Sequence, residues 1–476
     1  MITKKGIFGA LKWKFLERIT SQIVTFIVTL LLARFLTPTD YGVVAIITVF
    51  INLATVFVQG GFNTALIQKK DSDSIDFSSI AFFSLFIAGI LYIVLFCSAP
   101  VIANFYNKNE LIKLIRVLAI VLFVQAINSI QVAYITKKLK FELLFRANVI
   151  ANLLSGSIGI IMAILGLGAW ALVTQQILCQ IFVCIVLFLT TDWRLTFEFS
   201  FERLRVLVPF GTKVLSQNLL VSLFLQIRTL FVGKVYQANQ LAYFEKGKQF
   251  PQTLTDAING TIQTVMLPVF SHEQDNRIQI KNIIRNSIQM GYFIVCPLLV
   301  GLIVIAKPMI LILLTEKWLP CVFYLQCFAI SYMLHPIQIV PAQALKGIGD
   351  ANTVLKIEIV RKIIELILLI ISINISVEAV ALSNLLSSFI GVIIVMPINK
   401  KKFDYKYGEQ IIDIGVPLIM SLIMGGSCVA IGRIFFNNYI KIIIEIITGV
   451  IIYIAIAIVT RNESFKKIIL TVKGEK

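Results

Sequence analysis

Long apolar runs of about twenty residues, separated by short polar punctuation, fill nearly the whole chain. A helix needs about 20 apolar residues to cross a bilayer. The pattern predicts fourteen such helices, near 15–36, 41–66, 77–99, 111–135, 146–165, 170–190, 207–233, 241–269, 286–306, 321–344, 355–373, 379–398, 411–436 and 441–460. The eighth is the exception in polarity. Its stretch LAYFEKGKQFPQTLTDAINGTI, from Leu241 to Ile262, would be rejected on hydropathy alone.

Parity keeps it. With fourteen crossings, 30 of the 43 lysines and arginines fall on the side of the N-terminus, nine on the opposite side, and four inside spans. Removing the eighth crossing would turn sixteen basic residues outward, against the tendency of cytoplasmic loops to be basic. Both termini are therefore expected in the cytoplasm. A polar spanning helix of this kind must face protein or water rather than lipid.

Composition agrees with this reading. The 476 residues are 58% hydrophobic and only 14% charged, against about 25% charged in an ordinary soluble domain. Mean hydropathy is +0.90. A cytosolic enzyme, a secreted domain and a disordered chain are excluded. The net charge of +18 would suit a nucleic-acid partner, but most of it is the topology signal just described, and no basic patch or RNA-binding motif accompanies it. The seven cysteines lie in apolar runs without metal-ligand spacing and are expected as reduced, buried thiols. The N-terminus MITKKGIFGALKWKF reads as a cytoplasmic lead-in rather than a removed signal peptide.

The chain also repeats itself weakly. Ala33-Arg34-Phe35-Leu36 followed by Tyr41-Gly42-Val43 has a counterpart 200 residues on, in Gly233-Lys234-Val235-Tyr236 and Leu241-Ala242-Tyr243. The order of features predicts an all-α integral membrane protein. Its parts are an N-terminal lobe of six helices (1–205), a C-terminal lobe of six (206–400), and a last helix pair with a cytoplasmic tail (401–476). Two lobes around a cavity are a common transporter plan.

Three stretches carry a family resemblance: LARFLTPTDYGVVAI (Leu32 to Ile46), GGFNTALIQKKD (Gly60 to Asp71) and KLKFELLFRANVIANLLSGSIGIIMAILGLGAWALV (Lys138 to Val173). They resemble the bacterial polysaccharide-export flippases, the Wzx-type oligosaccharide-lipid branch of the MOP exporter superfamily, especially its colanic-acid and teichuronic-acid exporter subgroup. The resemblance is strong over about the first 200 residues and diffuse beyond. It implies two six-helix bundles in a V shape, as in MATE transporters, set in the bacterial cytoplasmic membrane. It further implies movement of undecaprenyl-diphosphate-linked glycan units from the inner to the outer leaflet, coupling to a cation gradient (H+ or Na+), no organic cofactor, and membrane lipids and the polysaccharide polymerase machinery as partners.

Such a cargo has a greasy tail, a diphosphate and a sugar head. The diphosphate needs cations, and a cation in the membrane centre is costly and kept mainly for function. The four in-span cations, Lys213, Arg228, Lys246 and Lys248, are thus the first candidates for binding cargo. Each has a structural alternative: snorkelling to a membrane face for Lys213 and Arg228, pairing within the eighth helix for Lys246 and Lys248, whose neighbour is Glu245. Arg34 matches Lys234 in the repeat, and both mark the outer interface. Asp256, near mid-depth of the eighth helix, is the candidate for ion coupling, with a salt bridge as its alternative. His335, before Pro336 in the tenth span, can titrate or can be a structural histidine at a kink. Glu365 is explained by a local pair with Arg361.

No phosphate-binding loop, metal cluster or Ser-His-Asp pattern stands out. The longest external loop, Ala306 to Pro320, is mostly apolar and lacks a histidine. A glycan polymerase or ligase is disfavoured on that ground. The nearer alternative is a multidrug or lipid II exporter of the same superfamily.

Overall fold

A computed structural model describes residues 4–69, 72–274 and 276–467. The described residues are helical almost throughout, and the chain divides into two compact units, Met1–Ala242 and Tyr243–Lys476.

The first unit holds α1 (Lys4–Phe35), α2 (Pro38–Gln59), α3 (Phe62–Gln68), α4 (Ser74–Tyr106), α5 (Glu110–Leu118), α6 (Val121–Lys138), α7 (Phe141–Ile164), α8 (Ala169–Thr190) and α9 (Phe201–Val235). Helix α10 (Ala238–His272) starts here and runs into the second unit. Local chemistry sets the starts. Thr37 and Asp40 form a capping box around Pro38 at the first turn of α2, and Asp73 and Asp76 repeat the device at α4. The expected single span 41–66 is broken between α2 and α3, where Gly60 and Gly61 have φ of +52° and +70°. That backbone region is open mainly to glycine. It also lets α9 come close, since a β-carbon on Gly61 would lie 2.6 Å from Val214 Cβ and 2.7 Å from the Gly211 carbonyl oxygen. Phe62, Phe77, Ile80, Ile130 and Trp193 form the core beneath this junction. Helix α9, which opens the second lobe in the sequence reading, packs in the structure on α2, α3 and α4.

The second unit continues with α11 (Arg277–Leu313), a 3₁₀ turn (Glu316–Trp318), α12 (Cys321–Met333), α13 (His335–Gly347), α14 (Ala351–Ile373), α15 (Val377–Phe403), α16 (Tyr407–Gly432) and α17 (Asn438–Val459). Helix α11 packs on α12, α16 and α17, and α15 on α12 and α14. The expected span 321–344 is two helices meeting at Leu334. Pro336 sits at the start of α13, where its missing N–H costs no helical bond.

Eleven segments among the described residues are long and apolar enough to cross a membrane. Three more helical segments fall on the remaining expected spans but are too short or too charged to meet that standard: α5 with α6, α10 and α14. Their positions agree with the expected spans, and the chain is a multi-pass membrane protein. All seven cysteines are free. Contrary to expectation Cys97 is exposed and Cys179 and Cys184 are only partly buried, as apolar side chains facing lipid can be at no cost.

Ion pairs tie helix ends together inside each unit. Asp76 is fully buried and accepts from Lys69 (2.7 and 2.8 Å), with Arg203 of α9 at 3.3 Å. Arg203 also reaches Asp73 at 2.5 Å and holds its carboxyl below the usual carboxylate range. Lys140 does the same to Asp192, at 2.8 Å, and Lys402 to Asp350, at 2.5 Å.

Candidate functional site

Helix α10 is the polar spanning segment, and its sequence explains how it is accommodated. Phe244 and Phe250 are buried on one side. Phe244 meets Tyr324 and Phe328 of α12 edge-on, with ring centroids 5.9 and 5.1 Å apart. Lys246 lies among these aromatics at 4% exposure. Its ammonium donates to Gln249 Oε1 at 3.0 Å and sits 5.9 Å from the centre of the buried Trp318 ring. Lys248 pairs with Glu245, three residues earlier, at 3.7 Å. Both members of that pair are about a quarter exposed. The pairing foreseen as the structural alternative thus forms for Lys248, whereas Lys246 is held by an amide and a ring face.

Asp256 is exposed on the same helix. One turn on, Asn259 is buried, and its Oδ1 has no hydrogen-bond partner. Residues three apart share a helix face, so a carboxylate and an amide oxygen stand on adjacent turns.

Beyond them a polar cavity of about 260 Å³ opens between α10, α13 and α14. Helix α13 contributes His335, Gln338, Gln343 and Lys346, α14 contributes Arg361 and Glu358, and Gln263 comes from α10. Gln338 is anchored by donating to the Ser388 carbonyl at 2.9 Å, and Arg361 by pairing with Glu358 at 2.8 Å. His335 stands edge-on to Tyr332, 4.7 Å between centroids, at the α12–α13 break. Glu365 pairs with Lys362 at 2.9 Å rather than with Arg361. The explanation by a local pair stands, with a different cation.

Amides both donate and accept, as sugar hydroxyls require. A guanidinium and an ammonium add the donors that a phosphate or carboxylate needs. Of the sequence candidates only His335 lies in this wall. Arg361 and Lys346 had been counted among the topology charges. The signal was present in the spacing: His335, Gln338, Ala342 and Lys346 follow at three, four and four residues, one face of a helix.

The remaining candidates lie in the first unit. Lys213 is exposed and Arg228 partly buried on α9, about 22 Å apart along its axis at 1.5 Å per residue. Arg34 is exposed at the end of α1. Its repeat counterpart Lys234 donates to the Phe105 carbonyl and lies 4.1 Å from the centre of the Phe105 ring. The four in-span cations therefore do not share one compact unit: Lys213 and Arg228 are in the first, Lys246 and Lys248 in the second. No group of metal-ligating side chains occurs among the described residues.

Long apolar helices with a polar cavity among them define a multi-pass membrane protein. The fold matches solved transporters of the MOP superfamily. Against the lipid II flippase MurJ in an inward closed conformation the TM-score is 0.73, covering 96% of this chain and 99% of that one at 18% identity. Against a multidrug resistance MATE family transporter in an inward-facing conformation it is 0.59, covering 80% and 97% at 15% identity. At such identities the likeness is one of fold.

The family described as polysaccharide biosynthesis protein matches residues 31–323, more than half of the chain, and the chain belongs to it. Teichuronic acid biosynthesis protein TuaB of Bacillus subtilis (strain 168) is 26% identical over 353 residues, 74% of this chain and 73% of that protein. Succinoglycan biosynthesis transport protein ExoT of Rhizobium meliloti (strain 1021) is 20% identical over 317 residues, 67% and 64% of the two chains. The protein is accordingly a member of a polysaccharide biosynthesis family that shares its fold with MOP superfamily transporters.

Proposed function

We propose that this protein moves undecaprenyl-diphosphate-linked oligosaccharide repeat units from the inner to the outer leaflet of the bacterial cytoplasmic membrane. It does so by alternating access, with both termini in the cytoplasm. The observation that carries the reading is the amide-lined cavity holding Arg361, in a chain that belongs to a polysaccharide biosynthesis family. A sugar head cannot cross about 30 Å of hydrocarbon without such polar groups, whereas the prenyl tail can stay in lipid. Coupling to H+ or Na+ through Asp256, cargo contacts from Lys213 and Arg228, and delivery to a polysaccharide polymerase belong to the same proposal.

Deleting the gene in a strain without a redundant exporter is expected to leave lipid-linked repeat units on the inner leaflet and to abolish the surface glycan. Normal surface glycan in that strain would sink the cargo assignment. The fold likeness to the lipid II flippase MurJ over nearly its whole length favours one second reading, lipid II export. Rescue of cells depleted of their lipid II flippase would decide for it.

A further inference from the structure

Helices α11, α16 and α17 line an open cavity of about 410 Å³ in the second unit. Its wall is aliphatic on all three sides, with Leu302 of α11, Met424 of α16 and Val450 of α17 among its members. One acidic side chain stands in that wall. Glu445, two turns into α17, is 3% exposed, and its Oε2 is buried with no hydrogen-bond partner. The carboxyl lies over Gly432 of α16, where a β-carbon would fall 2.0 Å from Oε1. The glycine is what admits the acid.

The polar groups around it make their hydrogen bonds elsewhere than to Oε2. From α16, the Cys428 thiol donates to the backbone carbonyl of Glu445 at 3.2 Å. From α17, Tyr453 donates its hydroxyl to the Phe293 carbonyl at 2.8 Å. Lys441, one turn before Glu445, lays its stem over the same Gly432 and acts on the carboxyl through its charge, but among the described residues the two form no direct ion pair. Helix α11 presents only apolar side chains and Gly301 to the cavity, and Leu254 of α10 completes it. An ionised carboxylate here would be both desolvated and unpaired, a state that proteins avoid by neutralising the group.

We propose that Glu445 is a proton-binding site, holding its proton at neutral pH, and that the apolar cavity beside it makes it a selective modification site for hydrophobic carbodiimides. This stands apart from the cargo assignment and from Asp256. The reaction balances internally. The carboxyl proton passes to one carbodiimide nitrogen while the carboxylate oxygen bonds the central carbon. The O-acylisourea so formed rearranges by oxygen-to-nitrogen acyl transfer to a stable N-acylurea, and no atom leaves. Only the protonated carboxyl starts this sequence, and an ordinary glutamate is protonated in about one molecule in 500 at pH 7.

The test treats the full-length protein in proteoliposomes at pH 7 with dicyclohexylcarbodiimide and maps adducts by mass spectrometry. The expected result is an N-acylurea on Glu445 at least ten-fold above that on Glu409, absent in Glu445→Gln. A water-soluble carbodiimide is expected to leave Glu445 unmodified. Labelling of Glu445 no greater than that of Glu409 overturns the proposal. So does labelling that appears only in Lys441→Met, since Lys441 would then be the partner of an ionised Glu445.

Discussion

Asp413 of α16 is heavily bonded. It is 2% exposed and accepts from Arg285 at 2.8 and 3.0 Å, from Gln289 at 2.6 Å and from the Tyr405 hydroxyl at 2.7 Å. Removing one partner of a buried pair strands the other charge and costs about 3–5 kcal/mol. Asp413→Asn should therefore lower the thermal midpoint in detergent markedly. Glu409→Gln, which breaks only the partly exposed pairs to Lys281 and Arg285, should cost about 1 kcal/mol or less. Equal midpoints for the two variants would refute this ranking. Neither residue was legible as a partner from the chain alone. Arg285 and Asp413 stand 128 positions apart, and a helix pattern reports which face is apolar but not which charge meets which.

Elements were far more legible than their breaks. The apolar pattern alone gave a helix at α14, and parity argued for one at α10, which hydropathy alone would reject; both segments are helical. The break between α2 and α3 at Gly60-Gly61 was not foreseen, whereas a kink at His335-Pro336 was, though not a full division into α12 and α13. The Gly61 junction makes a sharp demand on its sequence. At φ +70°, with Val214 Cβ and the Gly211 carbonyl where a β-carbon would go, Gly61→Ala should cost about 1–3 kcal/mol in backbone strain alone, plus the displacement of α9. Thermal unfolding of the purified variant measures this. An unchanged midpoint would show that α3 and α9 are not locked at this contact.

At the scale of the whole molecule, counting charges by side assigns an orientation and is a poor guide to the cavity. Lys346 and Arg361 sit near span ends, so the count treated them as anchors, although their helix faces turn them toward Gln338 and Gln343. A census by loop has no knowledge of azimuth. The orientation it implies can be checked directly. A fluorescent protein fused after the C-terminus should fold and fluoresce in the cytoplasm, and alkaline phosphatase inserted between Lys307 and Lys317 should be active. The reverse pattern would remove the eighth crossing with it.

Helix α10 also constrains how the protein is made. Its 35 residues include Glu245, Lys246, Lys248 and Asp256, and charged residues oppose release from the translocon into lipid by about 2.5–3.5 kcal/mol each near mid-membrane. Its shelter, Trp318 and the aromatic face of α12, is encoded about 75 residues after Lys246. At about 5–20 residues per second, the ribosome needs several seconds to deliver it. During that interval α10 has to wait in the insertion machinery, which makes membrane assembly of this chain a handover between neighbours rather than a row of independent insertions.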